Sequence, residues 1–121
     1  MAATYAQRVA LGAYGERLAV RALVDAGLEI LDRNWRCRQG EIDIVAATGG
    51  TVVVCEVKTR RGARFGPPAA AITAAKAERL HRLGAAWLAA HGRSGARLRV
   101  DVVSIVLSGR GQRVEHLSGV S

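Results

Sequence analysis

Aromatic side chains are scarce in this sequence: two Trp, two Tyr and one Phe in 121 residues, or 4%. That scarcity argues against recognition by a row of stacking rings, the mode in which aromatic platforms hold single-stranded nucleic acid. Trp35 is read instead as a core or edge anchor. Cysteine is equally sparse. Cys37 and Cys55 lie far apart, and neither has a second thiol or a histidine at zinc-binding spacing, so buried free thiols in a reducing compartment are expected and a zinc site is not. No run approaches the roughly 18 apolar residues of a membrane-spanning helix, and the start has neither the charged opening nor the apolar stretch of a signal peptide. The expected location is cytoplasmic. Lysine is almost absent too, Lys58 and Lys76 being the two present, so the net charge of +8 is carried almost wholly by arginine. With a pI near 11.0, such a balance favours a polyanionic partner, nucleic acid before an acidic membrane surface. A chain of this length buries roughly two thirds of its unfolded surface around one core, so residues 1–121 are expected to form a single domain.

What the sequence does have is a central stretch, Gly40 to Arg60, in which two β-branched runs flank Thr48-Gly49-Gly50-Thr51. A Gly-Gly pair between two such runs signals a hairpin with a two-residue loop. Thr48 then faces Thr51, and counting outward opposes Ala46 to Val53, Val45 to Val54, Ile44 to Cys55, Asp43 to Glu56, Ile42 to Val57 and Glu41 to Lys58. Opposed residues share a face. One face is therefore expected to carry Ile42, Ile44, Ala46, Val53, Cys55 and Val57, and the other Glu41, Asp43, Glu56 and Lys58 above Val45 and Val54. Two carboxylates at cross-strand distance repel by about 3 kcal/mol at an effective dielectric near 20. A divalent cation would reverse that sign, since hard cations such as Mg²⁺ take carboxylate oxygens. The alternative is a solvated polar face with Lys58 pairing Glu41.

Taken in order, the chain starts with a helical pattern from Thr4 to Ala26, with Val9, Leu11, Leu18, Ala22, Leu23 and Ala26 on one side and Gly27 as the stop. Gly12 and Gly15 interrupt it, marking either its true start or a close approach of another backbone. Glu16 follows. Leu28 to Cys37 reads as a strand, and Arg38-Gln39-Gly40 as the turn into the hairpin. Beyond Lys58, Thr59 to Pro68 is a basic loop in which Arg60, Arg61 and Arg64 suit bidentate phosphate contacts. An Ala-rich helix is expected from Ala69 to Ala90, with Thr73 capping its main part and Lys76 in that first turn, where a lysine opposes the helix dipole and suggests a nearby anion. His81 and His91 lack a second ligand at metal spacing and are read as surface residues. Arg97 to Leu107 is apolar enough to be a strand covered on both faces, with Asp101 as its internal carboxylate. Arg113 to Leu117 is expected as a last edge strand. The order is α-β-β-β-α-β, with that final strand in addition.

At Asp43, Glu56 and Lys58, an Asp followed after a dozen residues by Glu-x-Lys resembles the PD-(D/E)xK nuclease superfamily, whose restriction-endonuclease-like fold has the same order of elements. The wider set Gly15-Glu16, Asn34-Trp35-Arg36, Gly40-Glu41-Ile42-Asp43, Glu56-Val57-Lys58-Thr59-Arg60, Phe65-Gly66, Lys76 and Asp101-Val102-Val103 resembles the YraN family of small bacterial proteins, which is similar to archaeal Holliday junction resolvases. Ile42 stands where the superfamily's name has proline. The resemblance implies an α/β fold with a mixed central sheet flanked by helices. It implies Mg²⁺ or Mn²⁺ held by Asp43, Glu56 and the main-chain carbonyl of Val57, with Lys58 orienting water and stabilising charge on the phosphate. By the same resemblance Glu16 is the helix-one carboxylate of the site and Lys76 a basic helix residue near the phosphate, with Glu41 in support.

The leading expectation is a metal-dependent endonuclease acting on DNA, branched or otherwise structured, with Arg36, Arg38, Arg60, Arg61 and Arg64 contacting the nucleic acid. Two rivals stay open: a catalytically silent nucleic-acid-binding module of the same fold, and a basic module for an acidic protein partner. Whether two copies pair as a homodimer to make paired cuts is also open at this point.

Overall fold

In the computed structural model, residues 4–62, 72–109 and 111–120 are described. Helix α1 spans Tyr5–Asp25, and three strands follow: β1 (Glu29–Cys37), β2 (Gly40–Thr48) and β3 (Thr51–Arg61). Helix α2 (Ala74–Ala90) then leads to β4 (Arg97–Ser108) and β5 (Gly111–Leu117). The five strands form one sheet in sequence order, antiparallel throughout except for the parallel pair β3–β4. A parallel pair needs a crossover, and α2 is that crossover. This is the expected mixed α/β sheet with two helices, with β5 as the final strand.

Each helix begins where its sequence provides a cap. Thr4 accepts from the Gln7 N–H at 3.1 Å while the Gln7 side chain accepts from the Thr4 N–H at 2.8 Å, a reciprocal box that satisfies two of the helix's free donors. Thr73 has an extended backbone and accepts from the Lys76 N–H, so α2 starts at Ala74 rather than running on from Ala69. The expected helical residues 69–71 and the loop arginine Arg64 lie outside the described residues.

The sheet separates two apolar layers. On one side, Ala19, Leu23 and Leu28 pack on Ile44, Ala46, Val53, Cys55, Val103 and Ile105. On the other, Leu80, Leu83, Trp87 and Leu88 of α2 pack on Ile42, Val45, Val52, Val54 and Val100. β4 therefore serves both layers, as its continuous apolar run predicts. The helical period of α1 is only half used. Its buried residues are Gly15, Ala19 and Leu23, whereas Val9, assigned to the inner side from sequence, is 55% exposed. Among the described residues, neither helix is long and apolar enough to cross a membrane.

Candidate active site

The hairpin loop forms as its glycines demand. Thr48 pairs with Thr51, Gly49 takes a φ of 56°, and the ladder continues through Ala46–Val53 and Val45–Val54 to Ile44–Cys55. There it stops. The expected opposition of Asp43 to Glu56, Ile42 to Val57 and Glu41 to Lys58 does not occur, because β2 and β3 part beyond Cys55. In place of a main-chain rung, the Val57 N–H donates to Asp43 Oδ2 at 2.8 Å. The expected faces change as well. Ile42 joins the α2-side core while Ile44 remains on the α1 side, although the two are only two residues apart.

The parting of the strands opens a cleft of about 370 Å³ beneath α1, lined by Arg8, Leu11, Gly12 and Glu16 from the helix, Asp43 from β2, and Val57 to Arg60 from β3. Helix α1 reaches it by resting directly on β3. A Cβ at Gly15 would lie 1.8 Å from Thr59 Oγ1, so only glycine allows this approach, and Glu16 is the next residue along. Gly15 therefore marks a close approach, to the Thr59 side chain rather than to another backbone; Gly12 has nothing within 4 Å, and neither glycine marks the start of α1.

Three carboxylates, Glu16, Asp43 and Glu56, interact at this cleft. Burial, and then the neighbouring charges of Glu56 and Glu16, push the Asp43 pKa up to about 7, against the lowering effect of the Val57 N–H. Glu16 Oε1 is buried without a hydrogen-bond partner, and Arg33 Nη2 stands 4.0 Å away. Glu56 Oε2 lies 3.5 Å from Lys76 Nζ, which α2 extends from its first turn. Lys58 is the basic partner on β3. The Lys76 ammonium, then burial, lower the Lys58 pKa, while Glu56 works the other way.

The remaining candidates lie at the margins of this group. Glu41 does not pair with Lys58; its Oε2 is 3.6 Å from Arg36 Nε near the turn between β1 and β2. Arg36 and Arg38 are exposed at that turn, Arg60 lines the cleft, and Arg61 is exposed at the end of β3. Asp101 belongs to another cluster. It is fully buried, accepts from Arg99 Nε and Nη2 at 2.9 Å each, from the Gly119 N–H at 2.9 Å and from His116 Nε2 at 2.7 Å, and so ties the chain's end to β4. Burial alone would raise its pKa, but these hydrogen bonds outweigh burial and hold it below the usual carboxylate value. Arg8 and Arg33 were not singled out from sequence. The helical spacing of Arg8 to Gly12 and Glu16 carried a signal for the first, and nothing local carried one for the second.

Among the described residues, no three or more His, Cys, Asp or Glu side chains gather closely enough to hold a metal ion by themselves. The donor set still fits a hard cation. The buried Glu16 Oε1 lacks a hydrogen-bond partner, and burial followed by like charges disfavours the Asp43 carboxylate, deficits that a divalent ion with oxygen ligands would relieve. Asp43, Glu56 and the Val57 carbonyl would hold such an ion, with water and phosphate oxygens completing its shell.

Comparison with known proteins agrees across nearly the whole chain. A protein of Kineococcus radiotolerans is 54% identical over 114 residues, covering 93% of each chain. One of Streptomyces coelicolor is 54% identical over 117 residues, covering 94% of this chain and 90% of its own. One of Beutenbergia cavernae is 52% identical over 112 residues, covering 92% and 95% respectively. All three carry the name UPF0102 protein. Residues 15–105, which include Glu16, Asp43, Glu56, Lys58 and Lys76, match the family described as "Uncharacterised protein family UPF0102", and the chain belongs to that family.

Proposed function

We propose that this protein is a divalent-metal-dependent endonuclease that hydrolyses phosphodiester bonds in DNA, with structured or branched DNA as its substrate. The observation that carries the reading is the cleft itself, where Glu16, Asp43 and Lys58 line the place at which β2 leaves β3, with the Glu56–Lys76 ion pair beside it. A bound Mg²⁺ or Mn²⁺ would place positive charge at the scissile phosphate and lower the pKa of water. The chain's own groups supply the rest. Lys58 holds a charged donor toward the attacking water and the phosphoryl oxygens, and the neighbouring Lys76 ammonium lowers its pKa. The water oxygen bonds to phosphorus as the bond to the leaving sugar oxygen breaks; the proton that water loses passes to solvent, and the leaving oxygen takes one from it. Lys76 meanwhile keeps the Glu56 carboxylate in place. Arg60 and Arg61 on one side of the cleft, and Arg36 and Arg38 at the β1–β2 turn, would contact the flanking phosphates.

The exposed arginines Arg36, Arg38 and Arg61 favour a second reading, a nucleic-acid-binding module without cleavage. Cleavage assays on single-stranded, duplex, flap and four-way DNA with Mg²⁺ or Mn²⁺ separate the two. Wild type should cut at least one substrate. Asp43→Asn and Lys58→Ala should cut it at least about 100-fold more slowly while remaining folded, the scale expected for removing a positioned charge. Binding that weakens steeply with salt, without any cutting, would replace the nuclease by the binding module.

A further inference from the structure

Asn34 lies inside β1 and is exposed, yet its φ is 53°; it is the one non-glycine residue with a positive φ among the described residues. Asparagine tolerates left-handed backbone better than most residues, but a strand interior does not ordinarily call for it. The position is significant. Arg33 pairs with Ile44 and Trp35 with Ile42, so Asn34 sits opposite Asp43.

Side-chain alternation breaks on both strands at this rung. On β2, Ile44 packs on the α1 side and Ile42 on the α2 side. On β1, Arg33 reaches Glu16 of α1 while Trp35 packs against the α2-side core. Residues two apart on a regular strand share a face, so each strand makes an extra half turn here. Without it, alternation from Ile44 would send the Asp43 carboxylate to the α2 side together with Val45. With it, the carboxylate meets the Val57 N–H and lines the cleft with Glu16.

We infer that Asn34 is a positioning residue: its left-handed backbone supplies the half turn that swings the Asp43 carboxylate out of the sheet's regular alternation and onto the Val57 N–H. The proposed function explains why Asp43 should be held there, but the rotation itself does not depend on that function. Asn34 is exposed, and no side-chain hydrogen bond of Asn34 is formed among the described residues, which places the effect in its backbone.

The test uses the full chain with Asn34→Gly, Asn34→Ala and Asn34→Val. Glycine adopts the left-handed conformation freely, alanine resists it and the β-branched valine resists it more. Amide hydrogen exchange at Val57, measured by NMR, reports the bond to Asp43, and the Val103 and Ile105 amides report the core. Asn34→Gly should keep wild-type protection at Val57. Asn34→Val should exchange there about ten-fold faster or more, with Asn34→Ala between them, while Val103 and Ile105 stay protected. Mn²⁺ affinity, followed by electron paramagnetic resonance, should keep its wild-type value in Asn34→Gly and fall with Val57 protection in the other two. Unchanged Val57 protection in Asn34→Val, equal loss at Val57 and in the core, or loss in Asn34→Gly as large as in Asn34→Val would each overturn the inference. A wild type that binds no Mn²⁺ would count against the nuclease reading, and the Val57 amide would still decide the role of Asn34.

Discussion

Replacing Gly15 by alanine should loosen the seat of α1 on β3 and move Glu16 with it. The new methyl carbon would lie 1.8 Å from Thr59 Oγ1, 2.9 Å from its Cβ and 3.1 Å from its Cγ2. Rotating Thr59 relieves the first contact. It cannot relieve the second, because Cβ does not move with χ1, so the helix has to shift by several tenths of an ångström. Overpacking of this kind costs about 1–3 kcal/mol. Alanine gains about 1 kcal/mol over glycine in a helix, which offsets part of that cost. The expected net loss is up to about 2 kcal/mol, read by urea denaturation. Thr59→Ala removes two of the three clashing atoms, so the double variant should recover much of the loss, with a coupling of about 1 kcal/mol or more. If Glu16 serves cleavage, its displacement should reduce activity by more than the stability loss explains, since misplacement by about 1 Å can cost 100-fold in rate. A Gly15→Ala protein at least as stable as wild type, or strictly additive effects with Thr59→Ala, would refute the close-approach argument.

Two further predictions concern charge. The Asp43 pKa is raised in the folded state from 3.8 to about 7, so the favourable balance is complete at low pH and is lost as pH rises through that window. Asp43→Asn should therefore melt like wild type near pH 4 and at a higher temperature at pH 8 in metal-free buffer, and Mg²⁺ or Mn²⁺ should stabilise wild type more than the variant; equal melting of the two proteins at pH 8 would deny the strain. Asp101 is the opposite case. Its folded pKa is depressed, so its contribution is present at neutral pH and is lost as pH falls below about 4. Asp101→Asn should cost about 3–5 kcal/mol at pH 7, the scale for breaking a buried charge pair, and should flatten the acid limb of the stability curve. Wild-type stability in this variant would show that the Arg99–His116–Gly119 cluster does not hold the chain's end.

How much of this was legible in advance depended on whether a local rule extended across the whole element. The Gly49-Gly50 loop set the register correctly from Thr48–Thr51 to Ile44–Cys55, because a two-residue loop leaves the adjoining rungs little choice. Counting further assumed an unbroken ladder, and nothing in the sequence announced that β2 would turn at Asp43. That turn coincides with the backbone of Asn34 on another strand, and a φ value has no signature in composition or periodicity. The period of α1 was real, yet Val9 proved exposed, because period alone does not say which of its residues the sheet covers. Both faces of β4 were read correctly from its apolar run. Asp101 could be noticed but not interpreted, since two of its partners, His116 and Gly119, arrive only with the last residues of the chain.

The two strands that meet at the cleft differ in what holds them. β3 is paired to β4 along its whole length, from Thr51 with Arg97 to Arg61 with Leu107, whereas its pairing to β2 ends at Ile44–Cys55. Glu56 and Lys58 thus stand on a strand braced by β4, and Asp43 on a strand braced by β1 through the Arg33–Ile44 and Trp35–Ile42 pairs. The cleft lies on the seam between these two separately braced parts of the sheet, and the Val57–Asp43 hydrogen bond is a stitch across that seam beyond the last β2–β3 pair.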